Sequence, residues 1–266
     1  MDAWGVCDLC IECCTKGDEI ASIRSRRESQ AHKEESSRQQ KRHIRSLFTR
    51  IARRYDHVNR VISLGQDQRW RRQAVALLDL PPDGILLDVA TGTGDVALIA
   101  HERYPSAHIV GVDLTPAMVR QAARKSEMGA EQLRWALSDG LSLAFPDDTF
   151  DAVISAFMIR NVPDIAQAFV EQRRVVSPGG RIVCLEMTWP SRFPMSWLFP
   201  LYFFGWAALI GHLLSGDREA YQYLPRSVRQ FLAPEAVVAT MRSVGLREVR
   251  CSMRMGGTVA IYTGIK

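Results

Sequence analysis

The run Leu86-Leu87-Asp88-Val89-Ala90-Thr91-Gly92-Thr93-Gly94-Asp95 restricts the fold more than any other part of the chain. Strand formers pass straight into a turn holding two glycines and then into a helical pattern. Gly92 and Gly94 carry no Cβ, so the backbone there can approach a ligand closely. Alone, Gly-x-Gly is a weak signal, and with Ala97 the run also satisfies the G-x-G-x-x-A pattern of a dinucleotide-binding turn. The surroundings are more informative. Strand-forming runs at 85–90, 108–112, 133–137, 150–157 and 181–187 alternate with helical patterns at 96–103, 116–125 and 164–175. The tail adds a helix over 234–244 and two runs, 246–253 and 258–263, that can pair as an antiparallel hairpin around Gly256-Gly257. The expected fold class is α/β: a doubly wound, mostly parallel, seven-stranded Rossmann-like sheet with an antiparallel C-terminal hairpin.

At 266 residues with 47% hydrophobic composition, the chain can bury one sizeable core with residues left over. One domain plus an appendage is expected. Residues 15–43 are mostly Ser, Gln, Glu, Arg and Lys, with too little apolar surface to offset the entropy of ordering. From Ile44 the pattern changes: Ile44, Leu47, Phe48, Ile51, Tyr55 and Val58 recur at three- and four-residue steps and form a helical stripe. The expected division is a flexible extension over 1–43, Cys-rich and then basic, followed by a folded domain over 44–266.

The formal charge of +5 and the pI near 9.0 are unevenly placed. Between Lys16 and Arg72, sixteen Lys and Arg stand against seven Asp and Glu. Basicity confined to this segment points to no nucleic-acid partner. It leaves either a solvated arm or a peripheral contact with anionic headgroups, which Glu28, Glu34 and Glu35 weaken. Of the six cysteines, Cys184 and Cys251 read as small core residues, while Cys7, Cys10, Cys13 and Cys14 crowd together without the separated second pair a zinc tetrahedron usually needs. No metal site is expected. Acidic Asp2, Asp8 and Glu12 stand where a secretory signal would be positive, so the expected compartment is the reducing cytoplasm, with the periphery of the inner membrane as the open alternative.

Residues 194–214 are apolar and about as long as the roughly 20 residues of a membrane span. Pro200, Gly205, Gly211 and His212 interrupt them, and a span here would part the last strands from their sheet. A lid or pocket wall suited to a lipid-like substrate is expected, and a plain core helix fits the pattern equally.

Carboxylates at the strand ends carry the chemistry. Asp113 closes the second strand, where it can accept both hydroxyls of a ribose. Ser138-Asp139-Gly140 follows the third strand, where a carboxylate can accept from an adenine amino group. Asp148-x-Phe150-Asp151 opens the fourth strand, and Pro178-Gly179-Gly180 turns into the fifth. Asp95, at the start of the helix, disfavours a pyrophosphate at that positive end. This ordered set resembles the class I methyltransferase pattern, which an NAD(P) oxidoreductase does not need.

The resemblance extends further. Phe48-x-x-Ile51-Ala52-x-x-Tyr55-Asp56-x-x-Asn59, Trp70-Arg71, the glycine turn, Ile159-Arg160-Asn161-Val162, Pro178-Gly179-Gly180-Arg181, Ser215-Gly216-Asp217 and Tyr221-x-Tyr223-Leu224-Pro225 resemble the ubiquinone/menaquinone biosynthesis C-methyltransferase family across 44–266. That resemblance implies S-adenosylmethionine as cofactor, with Gly92, Thr93, Asp113, Asp139, Gly140 and Ser155 as its contacts. It also implies a prenylated quinol, demethylmenaquinol or 2-polyprenyl-6-methoxy-1,4-benzoquinol, as methyl acceptor. Arg160 is the expected catalytic residue, stabilising a phenolate or orienting a water, unless it serves a structural carboxylate instead. A homo-oligomer is a further expectation. Two departures from the family pattern stand out: Met158 where glycine is usual, and Ser138-Asp139-Gly140 in place of Gly-Asp-Ala. The alternatives are methylation of another apolar small molecule, an NAD(P)-dependent oxidoreductase, and a nonenzymatic lipid-binding member of the fold.

Overall fold

The computed structural model describes residues 35–126, 132–191, 193–202, 205 and 217–266. By its contacts the chain divides into two units, 1–43 and 44–266. In the first, residues 35–43 are helical and Arg42 donates to Glu35 at 2.9 Å. Cys7, Cys10, Cys13 and Cys14 lie outside the described residues, as does most of the basic arm.

The second unit opens with helix α1 over 44–51, then α2 (Tyr55–Ile62) and α3 (Gln66–Val75). The alternating part follows as β1 (Ile85–Val89), α4 (Asp95–Arg103), β2 (His108–Asp113), α5 (Pro116–Ser126), β3 (Leu133–Leu137), β4 (Phe150–Ala156), α6 (Ile165–Val175) and β5 (Val176–Met187). After it come α7 (Met195–Pro200), α8 (Arg218–Gln230), α9 (Pro234–Ser243), β6 (Arg247–Arg254) and β7 (Val259–Ile265). The seven strands form one sheet in the order β3-β2-β1-β4-β5-β7-β6. Pairings from β3 through β5 are parallel, whereas β7 runs antiparallel to both β5 and β6. The expected hairpin is therefore present, closed by a 3-10 turn at Met255–Gly257.

Helices on both faces explain why the central strands read as apolar runs instead of alternating patterns. Leu86, Leu87 and Val89 of β1 are wholly buried. On one face Phe150, Phe169, Val237, Met241 and Tyr262 join the sheet to α6 and α9; on the other Trp70, Val75, Ile99 and Ile261 join it to α3 and α4. A smaller cluster of Leu47, Ile51, Val58, Ile62, Phe199 and Val228 ties α1 and α2 to α7 and α8. One boundary differs from the sequence reading. β5 begins at Val176, ahead of Pro178-Gly179-Gly180, because Phe150 pairs with Val176 before the register shifts and Ala152 pairs with Arg181. The proline-glycine segment is thus an irregularity inside the strand.

Trp135 on β3 explains a glycine that the sequence motifs do not mark. Its ring lies across β2 at Gly111, where a Cβ would fall 2.4 Å from Cζ3, and its Nε1 donates to Ser126 at 2.9 Å. The same ring reaches Gly94, 2.8 Å from where a Cβ would stand. Gly111→Ala is expected to lower the unfolding free energy by roughly 1–3 kcal/mol through overpacking, with partial recovery when Trp135→Leu is added. Equal denaturant midpoints for Gly111→Ala and the unsubstituted chain would refute this account.

Candidate active site

Strand order reverses between β1 and β4, and in doubly wound sheets the crevice at such a point, beyond the carboxyl ends of the strands, is where ligands bind. Here β1 runs into α4 through left-handed residues at Ala90, Gly92 and Gly94, with φ of 58°, 59° and 86°. Thr91 N–H donates to Val112 O at 2.9 Å and Gly94 N–H to Thr91 O at 3.0 Å. A Cβ built on Gly92 meets nothing within 4 Å, so the turn presents bare backbone to open space.

Two carboxyls hold this turn. Asp88, buried beneath it, accepts from the Thr91 hydroxyl at 2.6 Å, while its Oδ1 has no hydrogen-bond partner among the described residues. Burial pushes its carboxyl up to about 7, against the opposing effects of the Thr91 bond and the Arg71 charge. Asp113, at the end of β2, accepts Gly92 N–H at 3.0 Å on one oxygen and Thr115 N–H at 2.7 Å on the other. Burial raises its carboxyl as well, opposed by those two backbone donors. Each carboxylate oxygen has a second lone pair, so both remain able to accept from a diol.

Of the residues expected to contact a cofactor, Gly92, Asp113, Asp139 and Gly140 fall along the carboxyl ends of β1, β2 and β3. Asp139 accepts Leu141 N–H at 3.0 Å, which shapes the loop after β3. Two side chains do not take the expected place. The Thr93 hydroxyl donates to Asp56 and accepts from Lys125 at 3.1 Å. Ser155 is wholly buried within β4, paired in register between Val89 and Cys184, so its hydroxyl does not reach the crevice. The argument from Asp95 also changes. Its carboxylate is not left bare at the helix end: Lys125 reaches it at 2.7 Å, Gln68 donates at 3.0 Å and Arg60 stands 3.8 Å away. Burial opposes ionisation of Asp95, but Lys125 and Arg71 outweigh it and hold the carboxyl below its ordinary value.

The two departures at 140 and 158 prove to be one feature. A Cβ on Gly140 would fall 2.6 Å from the terminal methyl of Met158, so the side chain missing at 140 is the space that Met158 occupies. Met158 is buried there, also within reach of Val89 across the same spot.

Next to Met158, Phe157 faces a separate cavity of about 610 Å³, walled chiefly by Tyr55, Trp70, Met187, Met195, Phe199 and Tyr202. The described part of the apolar 194–214 segment therefore is a pocket wall; the remainder lies outside the described residues. Among the described residues no helix is long and apolar enough to cross a membrane, and no group of acidic, His and Cys side chains could hold a metal. Phe157 has a left-handed φ of 58° and carries a guanidinium near its ring from each of two arginines, Arg71 at 5.2 Å and Arg160 at 5.6 Å. Both arginines are buried ion-pair members. Arg71 bonds Asp67 at 2.7 Å, and Arg160 bonds Glu186, a wholly buried carboxylate that also accepts the Arg160 and Met187 backbone N–H groups. Arg160 thus does serve a carboxylate, yet its Nε–H is buried with no partner among the described residues. Tyr55 stands in the same wall, its phenol pushed up by burial and so kept neutral.

Sequence reasoning assigned no role to Arg71, Tyr55, Phe157 or Glu186. Trp70-Arg71 and Tyr55 were visible as motif members, but nothing local links them to Arg160.

The raised Asp88 carboxyl has a measurable consequence. In the unfolded chain it titrates near 3.8, in the folded protein near 7, so between these values the folded state binds more protons and stability falls as pH rises. Asp88→Asn is expected to flatten the stability profile between about pH 4 and pH 7; an unchanged slope in denaturant melts would show that the carboxyl is ionised when folded.

Comparison with known proteins agrees with this arrangement. The profile of the ubiE/COQ5 methyltransferase family matches residues 34–266. A protein of Thermus thermophilus named demethylmenaquinone methyltransferase is 45% identical over 219 residues, covering 82% of this chain and 99% of its own. A Geobacter sulfurreducens protein named ubiquinone/menaquinone biosynthesis C-methyltransferase UbiE is 44% identical over 226 residues, covering 84% and 88%. Among solved structures, a SAM-dependent methyltransferase from Aquifex aeolicus superposes with a TM-score of 0.57 at 15% identity, covering 79% of this chain and 97% of that one. Phosphoethanolamine N-methyltransferase 2 of Haemonchus contortus gives 0.54 at 14% identity, covering 73% and 52%. These last two bear on the fold alone. With 34–266 matched by one profile and near-full-length relatives above 40% identity, the chain belongs to the ubiE/COQ5 methyltransferase family.

Proposed function

We propose that residues 44–266 transfer a methyl group from S-adenosylmethionine to a ring carbon of a prenylated quinol, either demethylmenaquinol or 2-polyprenyl-6-methoxy-1,4-benzoquinol. The names of the relatives support the quinone pathway and C-methylation. The observation that carries the reading is the apolar cavity beside Phe157, with the buried, Glu186-paired Arg160 in its wall.

The crevice fits the cofactor on its own chemistry. The backbone at Gly92 is unscreened, and Asp113 retains acceptor capacity for the ribose hydroxyls. Asp139 and the Gly140 backbone stand where the adenine would lie, with Met158 packed on Gly140. When bound, S-adenosylmethionine supplies an electrophilic methyl on a positively charged sulfur. The protein's own part is at the acceptor. A quinol ring carbon is nucleophilic enough once the neighbouring hydroxyl has lost its proton to water. Arg160, which lines the cavity and is held by Glu186, then stabilises the phenolate with its fixed positive charge. After methyl transfer the proton on the methylated ring carbon passes by way of water to the neighbouring carbonyl oxygen, which restores the aromatic quinol. Arg71, on the same Phe157 ring, adds a second cation to this end of the cavity. Phe199, Trp70 and their neighbours exclude water, which strengthens both charges.

Arg160→Lys keeps a cation facing Glu186 but removes the planar fork. It is expected to lower kcat by about 10²–10³ while the S-adenosylhomocysteine affinity measured by calorimetry stays within about twofold. Asp113→Ala should do the reverse, weakening that affinity. Wild-type turnover by Arg160→Lys would end the assigned role.

The basic stretch from Lys16 to Arg72 is proposed to touch anionic headgroups and so keep the enzyme near its lipid substrate. The full chain should then pellet with anionic vesicles, less as salt is raised, and not with zwitterionic ones. Equal pelleting with both would remove the electrostatic contact.

A further inference from the structure

A second, larger hollow of about 1020 Å³ lies beside the acceptor cavity and has no part in the chemistry above. The two share Met195 and Met255 as wall residues. Met195 packs on the turn after β6, its Cγ only 2.4 Å from where a Cβ on Gly256 would stand, and Gly256 has a φ of +62°. That glycine allows the 255–257 turn to close against Met195. The partition between the hollows is therefore made of two thioether side chains, the most adaptable apolar kind. Beyond it the groove exposes Phe193 (84%), Met255 (50%), Met253 (42%) and Leu232 (41%) to solvent. Large apolar side chains gathered on one concavity mark a binding surface.

From this geometry we infer that the groove binds the polyisoprenoid tail of the quinol, which leaves the acceptor cavity between Met195 and Met255. The inference rests on the substrate reading given above. Three observations favour a tail as the occupant. The groove adjoins the acceptor cavity, with only the Met195 and Met255 side chains common to both walls among the described residues. The acceptor cavity carries Arg71 and Arg160 beside Phe157, which suits the ring and its oxygens and directs the tail away from those charges. The groove's exposed apolar residues, Phe193, Leu232, Met253 and Met255, are flexible or flat groups that suit a hydrocarbon, and they share the lining with Glu235, Arg242 and Arg254. The groove then makes affinity depend on tail length, while the ring and its oxygens are recognised in the inner cavity.

The test uses the full chain with two quinols of the same ring, one bearing a single isoprene unit and one a long tail, in the same detergent. Met253→Glu and Leu232→Glu each put a charge on a residue already exposed to solvent, so both should fold, as thermal melts would verify. Each is expected to raise KM for the long-tailed quinol by on the order of tenfold, with kcat unchanged and the single-isoprene quinol unaffected. An equal effect on both quinols, or none on either, overturns the assignment. So does a change in vesicle binding or oligomeric state with the length dependence intact, since the groove would then serve another partner. Failure of the unsubstituted chain to methylate either quinol would instead remove the substrate reading, and the tail site with it.

Discussion

To pass from β1 into α4 within five residues, the backbone must enter the left-handed region at Ala90, Gly92 and Gly94. Such a turn persists only when its surroundings over-determine it. Here the restraint is a pair of buried carboxyls, Asp88 bonded to the Thr91 hydroxyl and Asp113 bonded to Gly92 N–H. Trp135 closes over Gly94 from β3, on the far side of β2, leaving no room for a side chain. The strain, the buried acids and the bare backbone at Gly92 are aspects of one arrangement. A loop relaxed by side chains at these positions would fill the space that a nucleoside must enter.

The second region is built by the opposite means. An apolar cavity gains little from charge, yet two ion pairs stand in its wall, at Arg71–Asp67 and Arg160–Glu186. Buried pairs seldom stabilise a fold, because desolvation cancels most of the attraction. Their value here lies in fixing two guanidinium groups beside Phe157 in a poorly screened site. An unpartnered buried N–H is costly on its own, and Arg160 Nε carries that cost where an anionic oxygen would offset it.

The two regions are joined by the N-terminal helices. Asp56 on α2 meets both Thr93 and Lys125, while Lys125 and Gln68 meet Asp95. Tyr55, one residue before Asp56, faces the acceptor cavity. One turn of α2 thus lines the cavity with Tyr55 and meets the glycine loop with Asp56.

Much of the fold was legible from local pattern. Strand and helix periods, the glycine turn and the hairpin around Gly256-Gly257 follow from the geometry of a few consecutive residues, and they appear where expected. Asp113, Asp139 and Gly140 were legible because strand ends are. The burial of Ser155 was not, since which side chains near a strand's end are covered depends on register with its neighbours. Nor was the commitment of Thr93 to Asp56, 37 residues away. The sequence by itself determined the order of layers, the crevice and the kind of ligand its strand ends can hold, because these rest on short-range sterics and spacing. Only the tertiary structure decided that Arg71 and Arg160 flank one ring, that Glu186 holds Arg160, and that Met158 fills the place vacated at Gly140. Those contacts depend on strand register and helix packing, which bring together residues that no local period connects.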